Sequence, residues 1–252
     1  MIKNLIFIIP YLISSVFSFG QGNDSKNNLL EQIDAIVLAN QKKYDIPGIS
    51  IGIVAGDSVL YTNGYGVKNI ETKELVDANS IFHTASISKM FTQEAINNLV
   101  SEGLLSFDDL LVDIAPELNF ANSNARNIRV RHLLNHSSGL PDVRNYEWGE
   151  KETSSQALKN YVLGLKLKSS FAPGSKSSYS NLAYEVLGYV IEKVSQQNFD
   201  EYLKNEVLIP AGMTTSDFRF YLIAEEFRTS PHTKKGNAEI SVIKTYPYNR
   251  KH

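Results

Sequence analysis

Apolar residues recur at helical spacing through most of this chain and form β-like runs only near its start. Leu30, Ile33, Ile36 and Val37 fall on one face of residues 27–44, which predicts an amphipathic helix ended by Pro47. Residues 49–54 and 59–63 are rich in β-branched and aromatic side chains and are joined by Ala55-Gly56-Asp57-Ser58, a hairpin pattern. Gly64, Gly66 and Asn69 punctuate the loop that follows. From Ser86 the pattern changes: Met90, Phe91, Ala95, Ile96, Leu99 and Val100 follow the 3.6 period, and Gly103 closes the helix they predict. Ser106-Phe107-Asp108-Asp109 predicts the cap of a short helix stopped by Pro116. Further helices are predicted over 128–134, 154–166, 181–195 and 199–208, and a strand over 239–244. The layout is lopsided, since a lone hairpin is marginal in water and the strands have few partners in the sequence.

The first twenty residues form a separate piece. Lys3 precedes an apolar run over 5–17, and Ser18-Phe19-Gly20 supplies small residues around a cleavage point before Gln21. The run is short for a membrane span, so 1–20 reads as a signal peptide and the protein as secreted or periplasmic. Lys plus Arg number 25 against 27 for Asp plus Glu, a net charge of −2, so no basic excess exists to neutralise a nucleic-acid backbone. The absence of cysteine removes disulfides, thiolate metal sites, cysteine nucleophiles and a lipidated N-terminal cysteine.

The candidate chemistry begins with Ser86-Ile87-Ser88-Lys89. A spacing of three places the Ser86 hydroxyl and the Lys89 amine on one helix face. The positive end of a helix favours an alkoxide-like nucleophile beside that amine. The same tetrapeptide also suits an N-cap serine with a solvated lysine. Tyr179-Ser180-Asn181 stands just before the long apolar helix, and a tyrosine held next to a lysine can act as a general base.

Other segments fall around these two. Residues 81–85 (Ile-Phe-His-Thr-Ala) lead into the serine; 130–141 (Val-Arg-His-Leu-Leu-Asn-His-Ser-Ser-Gly-Leu-Pro) and 171–174 (Phe-Ala-Pro-Gly) lie between; 187–192 and 210–213 follow. With its motifs in this order the chain resembles the serine β-lactamase-like hydrolases: class C β-lactamases, D-alanyl-D-alanine carboxypeptidases and related esterases. The likeness runs from about residue 28 to 218. It implies an α/β (α+β) β-lactamase/transpeptidase-like fold, in which a helical domain joins an antiparallel sheet domain. Only the N-terminal strands of that sheet are clearly represented here. It further implies that Ser86 attacks a carbonyl to form an acyl-enzyme and that Lys89 and Tyr179 share the general-base task. Asn181 would hydrogen-bond substrate and lysine, and the Ser86 backbone N–H would supply half of an oxyanion hole. The substrate would be a small-molecule or peptide carbonyl, such as a β-lactam or cell-wall peptide. A serine acyl mechanism needs no metal or organic cofactor.

The family's third motif, Lys-Thr-Gly or His-x-Gly on a late strand, is not matched: Lys244-Thr245 is followed by Tyr246 and reads as coincidence. Residues 21–252 are therefore expected to be an incomplete domain, with weak activity and apolar surface exposed where later strands would pack. The alternative is a catalytically impaired fragment or a peptidoglycan-binding module of the same fold.

Other signals carry less. Gly48-Ile49-Ser50-Ile51-Gly52 has nucleophile-elbow spacing but runs into a strand, so Ser50 is read as a strand residue. His132 and His136 have metal half-site spacing without a third ligand and are read as structural. His83 is read as a surface or supporting residue, and Tyr184 and Glu185 as helix packing. Trp148 and Tyr146 either line a substrate entrance or cap the helical part.

Overall fold

The computed structural model describes residues 23–143, 145–146, 152–236 and 238–243. The signal-peptide reading of 1–20, Trp148 and Lys244-Thr245-Tyr246 all lie outside them. The chain divides into two compact units, residues 1–78 and 79–252.

In the first unit, helix α1 (Asn23–Tyr44) carries Lys42 and Lys43 in its last turn, where cations suit the helix dipole. Asp45, at φ 51°, turns the chain out of the helix before Pro47. Strands β1 (Gly48–Ala55) and β2 (Ser58–Gly66) form the expected antiparallel hairpin, with Ala55 opposite Ser58 and an irregularity between Ile53 and Val54. Ser50 sits mid-strand opposite Gly64. The Asp34 carboxylate of α1 ties helix to hairpin by accepting from the Tyr61 hydroxyl at 2.5 Å and from the Tyr65 hydroxyl.

The second unit is built on two helices. In α2 (Lys89–Ser101), Ala95, Ile96 and Leu99 are fully buried. The Gly103 prediction is met by a Schellman close: Leu104 N–H donates to Leu99 O and Gly103 N–H to Val100 O, both at 3.0 Å, with Gly103 at φ 74°. Helix α3 (Leu111–Ile114) starts later than its predicted cap. The Ser106 and Asp109 side chains instead accept from the Asp108 and Ser106 N–H groups and close a turn. Strand β3 (Asn119–Phe120), α4 (Ser123–Arg126) and α5 (Val130–Leu134) follow. Residues 128 and 129 were predicted helical but are extended, because Ile128 O accepts from Leu111 N–H at 2.8 Å and Arg129 bridges Leu110.

Helix α6 (Ala157–Gly164) is shorter than the predicted 154–166. Leu165 is already extended, and β4 (Lys166–Leu167) pairs in parallel with β3. Helix α7 (Asn181–Ser195) matches its prediction and buries Leu182, Ala183, Val186, Leu187, Val190 and Ile191. That face packs against α2, α5 and α6 and against α8 (Phe199–Tyr202). The chain after α8 continues as a π-helical turn over Leu203–Leu208, where one helix was predicted over 199–208. Strands β5 (His232–Thr233) and β6 (Ser241–Val242) form a short antiparallel pair, so the predicted strand at 239–244 is present but brief.

Candidate active site

The Ser86–Lys89 segment begins as a 3-10 turn, Ala85–Ser88, and becomes α-helical only at Lys89. In a 3-10 turn residues three apart eclipse one another, so the serine and lysine side chains are stacked. Lys89 Nζ donates to Ser86 Oγ at 3.3 Å. Ala85, just before the serine, holds φ 47°, a conformation that costs an alanine about 1 kcal/mol and turns the chain sharply into the helix. The Thr84 and Ser88 hydroxyls, 3.0 Å apart, brace the turn.

The second half of the site stands at the start of α7. Ser180, fully buried, is its N-cap: the hydroxyl accepts from Ala183 N–H at 3.1 Å and donates to Pro141 O at 2.8 Å. The residues on either side are thereby aimed at Lys89. The Tyr179 hydroxyl donates to Ser86 Oγ at 3.0 Å, and Asn181 Oδ1 accepts from Lys89 Nζ at 2.6 Å. All four residues predicted from sequence, Ser86, Lys89, Tyr179 and Asn181, are brought together although the two halves lie 93 positions apart.

Three neighbours complete the arrangement. Asp142 Oδ1 accepts from both the backbone N–H and the Nδ2 of Asn181, at 2.8 and 3.0 Å, which points the amide oxygen toward the lysine. Lys89 Nζ lies over the rings of Tyr179 and Tyr184, 5.3 and 5.4 Å from their centroids, a cation–π arrangement. The His136 ring lies against both, 4.3 Å from the Tyr179 centroid and 5.2 Å from that of Tyr184. The sequence reading missed Asp142 and gave Tyr184 only a packing role. The one signal for Asp142 was its place directly after Pro141.

Burial raises the pKa of the Tyr179 phenol and Asp142 adds to the rise, but its interactions with the Lys89 ammonium and the Ser86 hydroxyl outweigh both, so the net shift is downward. Tyr184 moves upward through burial and the neighbouring Tyr179. Tyr146 is pushed up to about 12 by burial and by Asp142, Glu185 and Tyr179, while its hydrogen bond with Asn181 acts the other way. That places Tyr146 beside the Asn181 amide. The pair Tyr179 and Tyr184 thus diverges, one tuned to lose its proton and one to keep it.

His132 Nδ1 accepts from Arg129 N–H at 3.1 Å and caps α5, and His83 is exposed. His136 lies beyond the helix end at φ 58°, so the spacing of four does not place it on the helix face with His132. Among the described residues no three His, Cys, Asp or Glu side chains are grouped to hold a metal ion.

This geometry is accompanied by similarity to known proteins. The Beta-lactamase family profile matches residues 32–248. Protein flp of Staphylococcus aureus (strain NCTC 8325) is 32% identical over 197 residues, 77% of this chain and 39% of that protein. Penicillin-binding protein 4* of Bacillus subtilis (strain 168) is 29% identical over 192 residues, 75% of this chain and 41% of that protein. The chain therefore spans about two-fifths of the length of these relatives. The octameric penicillin-binding protein homologue from Pyrococcus abyssi superimposes with a TM-score of 0.74 at 26% identity, over 87% of this chain and 51% of that one. EstCE1, a hydrolase with promiscuous acyltransferase activity, shares the fold with a TM-score of 0.74 at 24% identity, over 88% of this chain and 61% of that one. Profile, relatives and fold agree with the paired Ser86–Lys89 and Tyr179–Asn181 elements: this chain belongs to the beta-lactamase family of serine hydrolases.

Proposed function

We propose that this chain is a secreted or periplasmic serine hydrolase that forms an acyl-enzyme at Ser86 on an amide, lactam or ester carbonyl. The observation that carries the reading is the convergence of Lys89 Nζ and the Tyr179 hydroxyl on one atom, Ser86 Oγ, at 3.3 and 3.0 Å. As Oγ bonds to the carbonyl carbon, its proton passes to the Tyr179 phenolate, and the carbonyl π pair becomes an oxyanion. Ser86 N–H belongs to the first turn of the 3-10 segment, where backbone donors have no partner within the helix, and it faces that oxyanion. Collapse of the adduct breaks the bond to the amine or alcohol, which in a lactam stays tethered to the acyl group, and the freed nitrogen or oxygen takes the proton from Tyr179 through Lys89. Water then repeats the sequence to release the acid. Asn181 fixes the lysine and presents its amide to the substrate. The localisation rests on the reading of residues 1–20.

The test is the intact mass of the chain after incubation with a penicillin and, separately, with a reactive ester, using Ser86→Ala as control. The expected result is an increase equal to the whole penicillin or to the acyl group of the ester, absent in Ser86→Ala. No adduct in a protein shown to be folded by circular dichroism would favour an impaired fragment or peptidoglycan-binding module instead.

A further inference from the structure

We propose that His136 is a positioning residue for Tyr179, gripping the backbone on both sides of the tyrosine and supporting its ring; this rests on the acyl-enzyme reading above. His136 O accepts from Ser178 N–H at 2.8 Å and from the Ser177 hydroxyl at 3.4 Å. His136 Nδ1 accepts from Ser180 N–H at 3.2 Å. The residues immediately before and after Tyr179 are thus held by one histidine. The same imidazole lies 4.3 Å from the Tyr179 ring, tilted by 33°. Four contacts from a single side chain and its carbonyl leave the phenol little freedom except to face Ser86 Oγ.

The grip demands a neutral ring. Nδ1 can accept only while its lone pair is free, so the imidazole proton sits on Nε2. The groups facing this ring are Lys89 from α2, Asp142 from the segment after Pro141, Ser180 and Tyr179 from the α7 entry, and Tyr184 from α7 itself. Burial and then the Lys89 charge lower the imidazole pKa against the opposing Asp142, and favour that neutral form. A proton on Nδ1 would turn the acceptor into a donor aimed at Ser180 N–H and open the clamp. The backbone at φ 58° also restricts the position, since among side chains bearing a Cβ asparagine tolerates that region best.

The variants follow from these features. His136→Ala removes both ring and acceptor; His136→Asn keeps an acceptor near the place of Nδ1 and suits the backbone; His136→Phe keeps a ring and loses the acceptor. Acylation of the full chain by p-nitrophenyl acetate is followed by stopped flow. The Tyr179 phenol is followed by NMR of carbon-13-labelled tyrosine, its resonance identified by loss in Tyr179→Phe. Misplacement by about 1 Å can cost about 100-fold, so His136→Ala is expected to lose about 100-fold in the acylation rate, with His136→Asn recovering at least about tenfold of it. The Tyr179 titration midpoint is expected to rise in His136→Ala toward the ordinary phenol value of 10.0. A midpoint and a rate per folded molecule that stay at wild-type values, with only the melting temperature reduced, would overturn the proposal. If His136→Ala does not fold, His136→Asn must acylate faster than His136→Phe, and equal rates overturn it. A wild type that shows no Ser86-dependent acylation, while its Tyr179 midpoint still moves in His136→Ala, would refute the acyl-enzyme reading and leave the positioning role standing.

Discussion

Replacing Gly139 by alanine incurs two costs that a second glycine separates. Gly139 holds φ 75°, which costs a residue with a Cβ about 1–2 kcal/mol. The added methyl would stand 2.3 Å from Ser169 Oγ and 3.1 and 3.3 Å from the backbone O and N of Phe171. Ser169 is buried, and its hydroxyl lies 2.8 Å from Ser138 O and 2.5 Å from Phe171 O, so it has no vacant direction to swing into. Crowding of that kind in a packed interior costs about 1–3 kcal/mol, which brings the total to about 2–5 kcal/mol. Gly103 has nearly the same backbone, φ 74°, but nothing within 4 Å of an added methyl. Gly103→Ala should therefore lose only the conformational part, about 1–2 kcal/mol. Urea unfolding followed by circular dichroism, at an unchanged slope, measures both. Gly139→Ala should be the less stable by at least about 1 kcal/mol. Equal losses would show that the Ser138–Phe171 region yields freely and would refute the packing argument. In the double variant Gly139→Ala/Ser169→Ala the losses should fall short of additive, because the second change removes the atom that the methyl meets first.

Four further outcomes are expected. Tyr179→Phe should lower the acylation rate by about 100- to 10,000-fold, as loss of a general base does. In the wild type the rate should rise with pH through a midpoint below 10.0, since the phenolate is the active form and its pKa is lowered; Asp142→Asn removes a charge that opposes this lowering, so the midpoint moves further toward acid, and a shift toward alkali would contradict the assignment. Ser180→Ala should cost about 1 kcal/mol in urea unfolding through loss of the α7 cap. For Asp217, burial raises the pKa but hydrogen bonds from the Arg219 side chain at 2.9 and 3.0 Å and its backbone N–H at 2.7 Å lower it below 3.8 overall. The stabilisation is then present above the unfolded-state value and lost as pH falls through the folded one. Asp217→Asn should melt below wild type at neutral pH, with the gap closing under acid, and a constant gap would tell against the linkage.

What could be read from the sequence was what repeats or what reacts. The face of α7 that runs through Leu182, Val186, Leu187, Val190 and Ile191 is buried over nearly three turns, and a stripe that long has a period. Strands β3 and β4 have two residues each, too few to show any alternation, so the helical pattern ran on through Lys166 where backbone pairing with Asn119 takes over. The 3-10 start at Ala85 was equally hidden, because its left-handed backbone falls on a residue with no composition signal. In the site, Ser86, Lys89 and Tyr179 declared themselves by residue type and spacing, and Asn181 through the family resemblance. Asp142 and His136 did not: each acts on a residue about forty positions away, through bonds that only the folded chain creates.

The reacting groups stand on the 3-10 turn and first residue that open α2 and at the entry to α7, and the other faces of those same two helices form the interior of the unit. Machinery mounted in this way has no hinge of its own. Fraying of a loop can disable an enzyme whose chemistry sits on that loop, long before the protein melts. Here the nucleophile rides on the turn that opens α2, and the base on a segment pinned by the Ser180 cap and by His136, so both are held by the packing that joins α2 to α7. Heat should accordingly silence this protein in one step, with no interval of temperature in which a folded but inert form accumulates.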